Sequence, residues 1–166
     1  MNRYVKLTAL FAMIVFMQTA CATNAHMASG ARTASGDKFS DVRDRDWKLT
    51  EVRAGKDKII FERAMLAQEG PNEIFTLRFD AERVSGVGCP NRYFAPYALT
   101  EKKALDIKPI AGTLMAALFE PEQLKEREFF AYLENADKWN IVKGNLELRS
   151  TNDDGAEVVL VFSSAD

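Results

Sequence analysis

The sequence predicts an α+β domain: a mainly antiparallel, curled or barrel-like β-sheet of about eight short strands with one packed helix. Three observations predict it. Short apolar runs recur along the chain with turn signals between them. One of them, residues 75–80, alternates Phe75, Leu77 and Phe79 with Thr76, Arg78 and Asp80, the period of a half-buried strand. A single charged stretch instead places Phe129, Phe130, Leu133 and Ala136 at helical spacing. Many short strands with one segregated helix make an α+β architecture.

The elements follow in order. Residues 1–21 read as a signal segment. Arg3 and Lys6 precede an uncharged apolar run at residues 7–17, and Thr19, Ala20, Cys21 and Ala22 supply the small residues of a cleavage region. The run is too short for the roughly 20 residues that cross a bilayer as a helix. Two processing routes are open. Cys21 is the lipid-anchor candidate, although Gln18 stands where an apolar residue is usual. Ala20-Cys21-Ala22 also reads as an ordinary cleavage site. The expected location is therefore the periplasmic face of the outer membrane, through a lipid on Cys21, or the soluble periplasm. Residues 22–44 read as a flexible tether, Ala-, Ser-, Thr- and Gly-rich at first. Charged residues 37–46 read as a solvated lead-in.

The domain is expected over residues 45–164. Trp47, Leu49 and Val52 lie in a strand-like stretch that ends near Gly55, and residues 58–62 form a second. After the strand at 75–80, Ala81-Glu82 turns the chain and residues 83–88 return, with Gly86 and Gly88 marking a bulge or close approach. Residues 93–100 and 104–108 are two more strands. Pro121 suits a first helical position, with Glu120 and Glu122 at the positive end of the dipole. Lys143-Gly144 is a hairpin signal between residues 139–142 and 145–149. Asn152-Asp153-Asp154-Gly155 turns again, and residues 158–162, apolar at every position, read as a central strand covered on both faces.

Composition excludes several kinds of chemistry. Removing residues 1–21 leaves 20 Lys+Arg against 24 Asp+Glu, a charge of about −4, which argues against nucleic acid as a partner. The one histidine, His26, lies in the tether, so the domain has no His triad and no His metal site. Of two cysteines, Cys21 is lipidated or discarded, and Cys89 is left as a lone thiol with no His to activate it. The carboxylates Glu120, Glu122, Glu126 and Glu128 read as a solvated helix face. No catalytic, cofactor or metal residues are expected, and no enzyme activity.

Seven pieces occur in order along the chain: Trp47-Lys48-Leu49; residues 75–80; Gly88-Cys89-Pro90-Asn91-Arg92-Tyr93; Thr113-Leu114-Met115-Ala116; Glu128-Phe129-Phe130 with Leu133; Asn145-Leu146 with Leu148; and residues 158–162. In this ordered set the chain resembles the META domain family, which includes HslJ-type heat-shock envelope proteins. Pro90 is an insertion against the family pattern, and Ala117 stands where the family often has a second Cys. On the residues themselves, Gly88, Cys89, Asn91, Arg92, Tyr93, Thr113 and Met115 read as structural, Cys89 as a buried small apolar residue, with ligand recognition by the 88–93 segment as the alternative. The resemblance implies a non-enzymatic envelope protein involved in stress tolerance. Two alternatives stand beside it. One is an interaction module that holds a lipid chain or a partner's tail in a cleft lined by Phe94, Tyr97, Leu114, Met115, Leu118 and Phe119, residues that equally suit a filled core. The other is an inhibitor of an envelope-attacking hydrolase, which needs a protruding polar loop.

Overall fold

The computed structural model describes residues 38–69 and 73–165. Residues 1–37, with the expected signal segment, Cys21 and most of the expected tether, lie outside them. A 3-10 turn at Phe39–Asp41 leads into β1 (Trp47–Ala54), β2 (Asp57–Ile60), α1 (Arg63–Glu69), β3 (Thr76–Phe79), β4 (Arg83–Val87), β5 (Arg92–Leu99), β6 (Leu105–Ile107) and β7 (Ala111–Gly112). Then come α2 (Glu126–Glu134), β8 (Lys138–Val142), β9 (Asn145–Thr151) and β10 (Glu157–Ser164).

The sheet order is β6-β5-β4-β3-β1-β10-β9-β8, with β2 beside β1 and β7 beside β5. Every pairing is antiparallel. The sheet curls until its edges meet. Trp139 N–H donates to Lys103 C=O at 3.0 Å, and Leu105 N–H to Asp137 C=O at 2.9 Å. An eight-strand barrel is thereby nearly closed, and most of the edge-strand hazard disappears with the edges.

Inside positions alternate as a pleat demands. Leu77 and Phe79, Tyr93 and Ala95, Leu146 and Leu148, and Val158, Leu160 and Phe162 are buried. β1 breaks this parity, since Trp47, Leu49 and then Val52 face in. The cause is a bulge: Leu49 pairs with Phe162 and Glu51 with Val161, leaving Thr50 as the extra residue. β10 lies between β1 and β9, so its outward valines are covered too. Val159 and Val161 are both buried, flanked by Arg53 and Glu51 on β1 and by Arg149 and Glu147 on β9. Arg53 bridges Glu51 at 2.7 Å and Glu147 at 2.5 Å, while Lys58 reaches Glu51 at 2.8 Å. The aliphatic stems of that network roof the valines.

Aromatic rings fill both ends. Phe39 meets Phe79, Tyr97 and Trp139 with ring centroids 5.1–5.6 Å apart. Phe129 of α2 packs on Phe75 at 5.0 Å and Tyr93 at 6.0 Å, at the other end of β3.

Three expectations are corrected. The folded unit begins before residue 45, because Phe39 and Val42 are buried and Trp47 Nε1 donates to Val42 C=O at 2.9 Å. Two apolar residues among charges carry no period, so the lead-in read as solvated. Helix α2 begins at Glu126, not near Pro121. Proline's fixed φ suits a turn as well as a first helical position, and Pro121 and Leu124 are buried in a turn ahead of the helix. Helix α1 was not anticipated. Its residues are good helix formers, but seven of them are too few to display a helical stripe.

Candidate functional site

The turn between β4 and β5, the stretch after β7 and the start of α2 meet at one junction. Gly88 N–H donates to Asn91 C=O at 2.7 Å, closing a tight turn that holds a cis Cys89–Pro90 peptide. The Glu126 carboxylate reaches into that turn from the first turn of α2. It accepts Cys89 N–H at 2.5 Å, Asn91 N–H at 2.7 Å and Asn91 Nδ2–H at 2.6 Å. Charge-assisted bonds of this kind are the stronger class. Asn91 continues the chain of bonds. Its Oδ1 accepts Thr113 Oγ1–H and Met115 N–H, both at 2.7 Å, and its Nδ2 also reaches Met115 C=O at 3.3 Å. Thr113 N–H donates to Arg92 C=O at 3.0 Å, and Arg92 N–H to Thr113 Oγ1 at 3.2 Å.

Close approach makes glycine necessary here. A Cβ on Gly88 would lie 2.5 Å from Glu126 Oε1 and 2.8 Å from Phe130 Cζ. One on Gly86 would strike the Thr76 carbonyl. Beside Gly88, Phe75 is held at φ +51, costly for a bulky residue. Its N–H donates to Gly88 C=O at 3.1 Å, and its C=O accepts Leu49 N–H at 2.9 Å. Tyr93 is buried, with its hydroxyl donating to Thr76 C=O at 2.8 Å; burial pushes that hydroxyl well above its ordinary pKa. The Cys89 thiol is buried and donates to Phe119 C=O at 3.2 Å. Burial, and then the negative charges of Glu120 and Glu126, push it up to about 11.

The structure thus gathers Gly88, Cys89, Asn91, Arg92, Tyr93, Thr113 and Met115 at one place. Reading the sequence missed Glu126, which turns inward instead of joining a solvated face. Glu120 is also engaged: Glu126 N–H donates to its Oε1 at 2.6 Å, standing in for a helix cap that Lys125 does not supply. No cluster of three or more metal-ligating side chains occurs among the described residues.

The family model for the META domain matches residues 40–165. The chain belongs to the META domain family. A solved structure of similar fold is the NMR structure of a protein from Burkholderia xenovorans, with a TM-score of 0.54 and 21% identity, covering 75% of this chain and 86% of that one. No curated protein matches the sequence. The match begins at residue 40, close to the buried Phe39 and ahead of the first strand.

The six residues suggested for a cleft in this META domain do not share one. Phe94 lies on the outer face of β5, 48% exposed, with Arg83 5.8 Å above its ring. Its neighbours Tyr93 and Ala95 take the inner face, so Phe94 is excluded by parity. Tyr97 packs on Phe39 and Phe79, with its hydroxyl donating to Asp80 C=O at 2.7 Å. Leu114 and Leu118 are 100% and 104% exposed, and Met115 is 61% exposed. Phe119 is partly buried and borders an open groove of about 450 Å³ with Ile60, Met65 and Pro121.

Proposed function

We propose that this META domain protein is a non-enzymatic cell-envelope protein that contributes to stress tolerance. In this reading it is exported and held by a lipid on Cys21 at the periplasmic face of the outer membrane, or released into the periplasm. The observation that supports it is the engagement of the motif residues in the fold. Asn91 ties its own turn to two other segments, at Thr113 and Met115 and at Glu126, and the Cys89 thiol is buried against a backbone carbonyl. A motif used in this way holds the domain together, and the activity then belongs to the surface and the address. The order of Arg3, Lys6, the apolar run and Cys21 supports the address.

A deletion strain tests the role. It is expected to lose growth at elevated temperature and in detergent, with recovery from a plasmid copy. Unchanged tolerance defeats the stress reading. Palmitate labelling tests the anchor: label on the native chain and none on Cys21→Ser is expected, and label retained in the variant defeats the anchor. An interaction module is favoured by one further observation, the complete exposure of Leu114 and Leu118. The feature is a projecting surface, not a cleft.

A further inference from the structure

From Pro109 to Phe119 the chain carries no charged residue; Lys108 and Glu120 bound the stretch. Its middle holds the most exposed large apolar side chains of the domain, Leu114 and Leu118, with Met115 beside them. Scattered surface leucines need no explanation. Three large apolar residues within five positions, two of them wholly in water, are different, since each gains by leaving water and together they gain in proportion to their area.

These side chains are held out by the junction beneath them. Asn91 fixes Thr113 and both backbone polar groups of Met115. Arg92 C=O takes Thr113 N–H, and Cys89 Sγ–H ties down Phe119 C=O. The loop is therefore fastened on both sides of its exposed tip, and little ordering remains to oppose binding.

We infer that residues 113–118 form a membrane-docking loop, which places Leu114, Met115 and Leu118 in the interfacial layer of a phospholipid bilayer. Side chains this exposed project from the domain, and a fluid lipid layer closes around a projection without a matching groove. The uncharged length suits that layer, because charge is what lipid rejects most strongly. Irregular backbone does not enter hydrocarbon, so the loop stops at headgroup depth. There Arg92 already takes the Thr113 N–H, and Asn91 both backbone groups of Met115. The chain outside the described residues supplies proximity, an argument that rests on the anchor reading above. Cys21 lies 17 residues before Lys38, a length of chain that spans at most roughly 60 Å in any conformation, so an anchored domain cannot leave the vicinity of the surface.

The test uses the unlipidated chain from Ala22, which retains every described core residue, and flotation with phosphatidylethanolamine–phosphatidylglycerol vesicles. The native chain is expected to float, with binding that persists in 0.5 M salt. The double variant Leu114→Ser, Leu118→Ser is expected to partition roughly 10-fold or more weakly, with an unchanged circular dichroism spectrum and melting temperature. Equal flotation of the two chains overturns the inference, as does a native chain that stays unbound. A concentration-dependent self-association abolished by the same variant, without flotation, assigns the loop to a second copy and also overturns it. Because no lipid is attached, this outcome is independent of palmitate labelling: flotation with no palmitate on the full chain removes the anchor and leaves the loop.

Discussion

Asn91 makes four side-chain bonds, and its backbone N–H donates to Glu126. Asn91→Ala leaves Met115 N–H and one Glu126 oxygen without their partner. Unsatisfied groups cost about 1–3 kcal/mol each, so a loss of about 2–4 kcal/mol is expected, read as a lower urea midpoint at constant slope. Asn91→Asp is expected to be at least as harmful, because a carboxylate cannot donate to Glu126 and is repelled by it. Cys89 gives a pH prediction. Its folded pKa is raised to about 11 from 9.0, so its contribution is complete below about pH 9 and fades as pH rises through 11. Tyr93 and Tyr132 are raised as well, by burial first, and act in the same direction. Unfolding followed by circular dichroism is expected to set in between pH 9 and 11, and Cys89→Ala to soften its first part. Native Cys89 is also expected to resist thiol reagents at pH 8 until denaturant is added; rapid labelling would overturn its buried role. The local motif was legible because Gly88, Cys89 and Asn91 fall within four consecutive positions. Glu126 was not, since nothing in a charged helix marks which carboxylate turns inward to a turn 35 residues away.

Among the elements, the hairpins were the most legible. Lys143-Gly144 joins β8 to β9 with φ of +53 and +84, the left-handed pair that a two-residue hairpin turn needs. Lysine pays a steric penalty there that asparagine largely avoids. Lys143→Asn is therefore expected to stabilise the domain by about 0.5 kcal/mol, seen as a small rise in the urea midpoint; a fall would contradict the turn assignment. The β3 strand was legible from its period, and β10 from its unbroken apolar run. Both helical misreadings have a local cause. Pro121 carries a helix-start signal that a turn uses equally well, and α1 relies on propensity without a stripe. The bulge in β1 explains why Trp47, Leu49 and Val52 suggested a strand without the regular alternation of one.

At the scale of the molecule, the barrel depends on plugs that periodicity cannot reveal. Phe39 touches rings from β3, β5 and β8, and Phe39→Ala is expected to cost ~3 kcal/mol. A chain begun at Asp44 should show a loss at least as large by thermal melting. Barrel closure itself was readable only as a class, because the seam between β6 and β8 rests on backbone bonds that have no side-chain signature. One register has a mechanical consequence. Trp47 is paired with Ser164, so both flanks of the folded unit leave from the same end of β1 and β10. Tension between those flanks opens the pair as a zipper, rung by rung, and does not shear all its bonds at once. Phe39 lies upstream of the first rung, so a pull from the N-terminal side draws the plug before it reaches the strands. The α2 end of the barrel, with the junction that supports the projecting loop, is the last part to feel it.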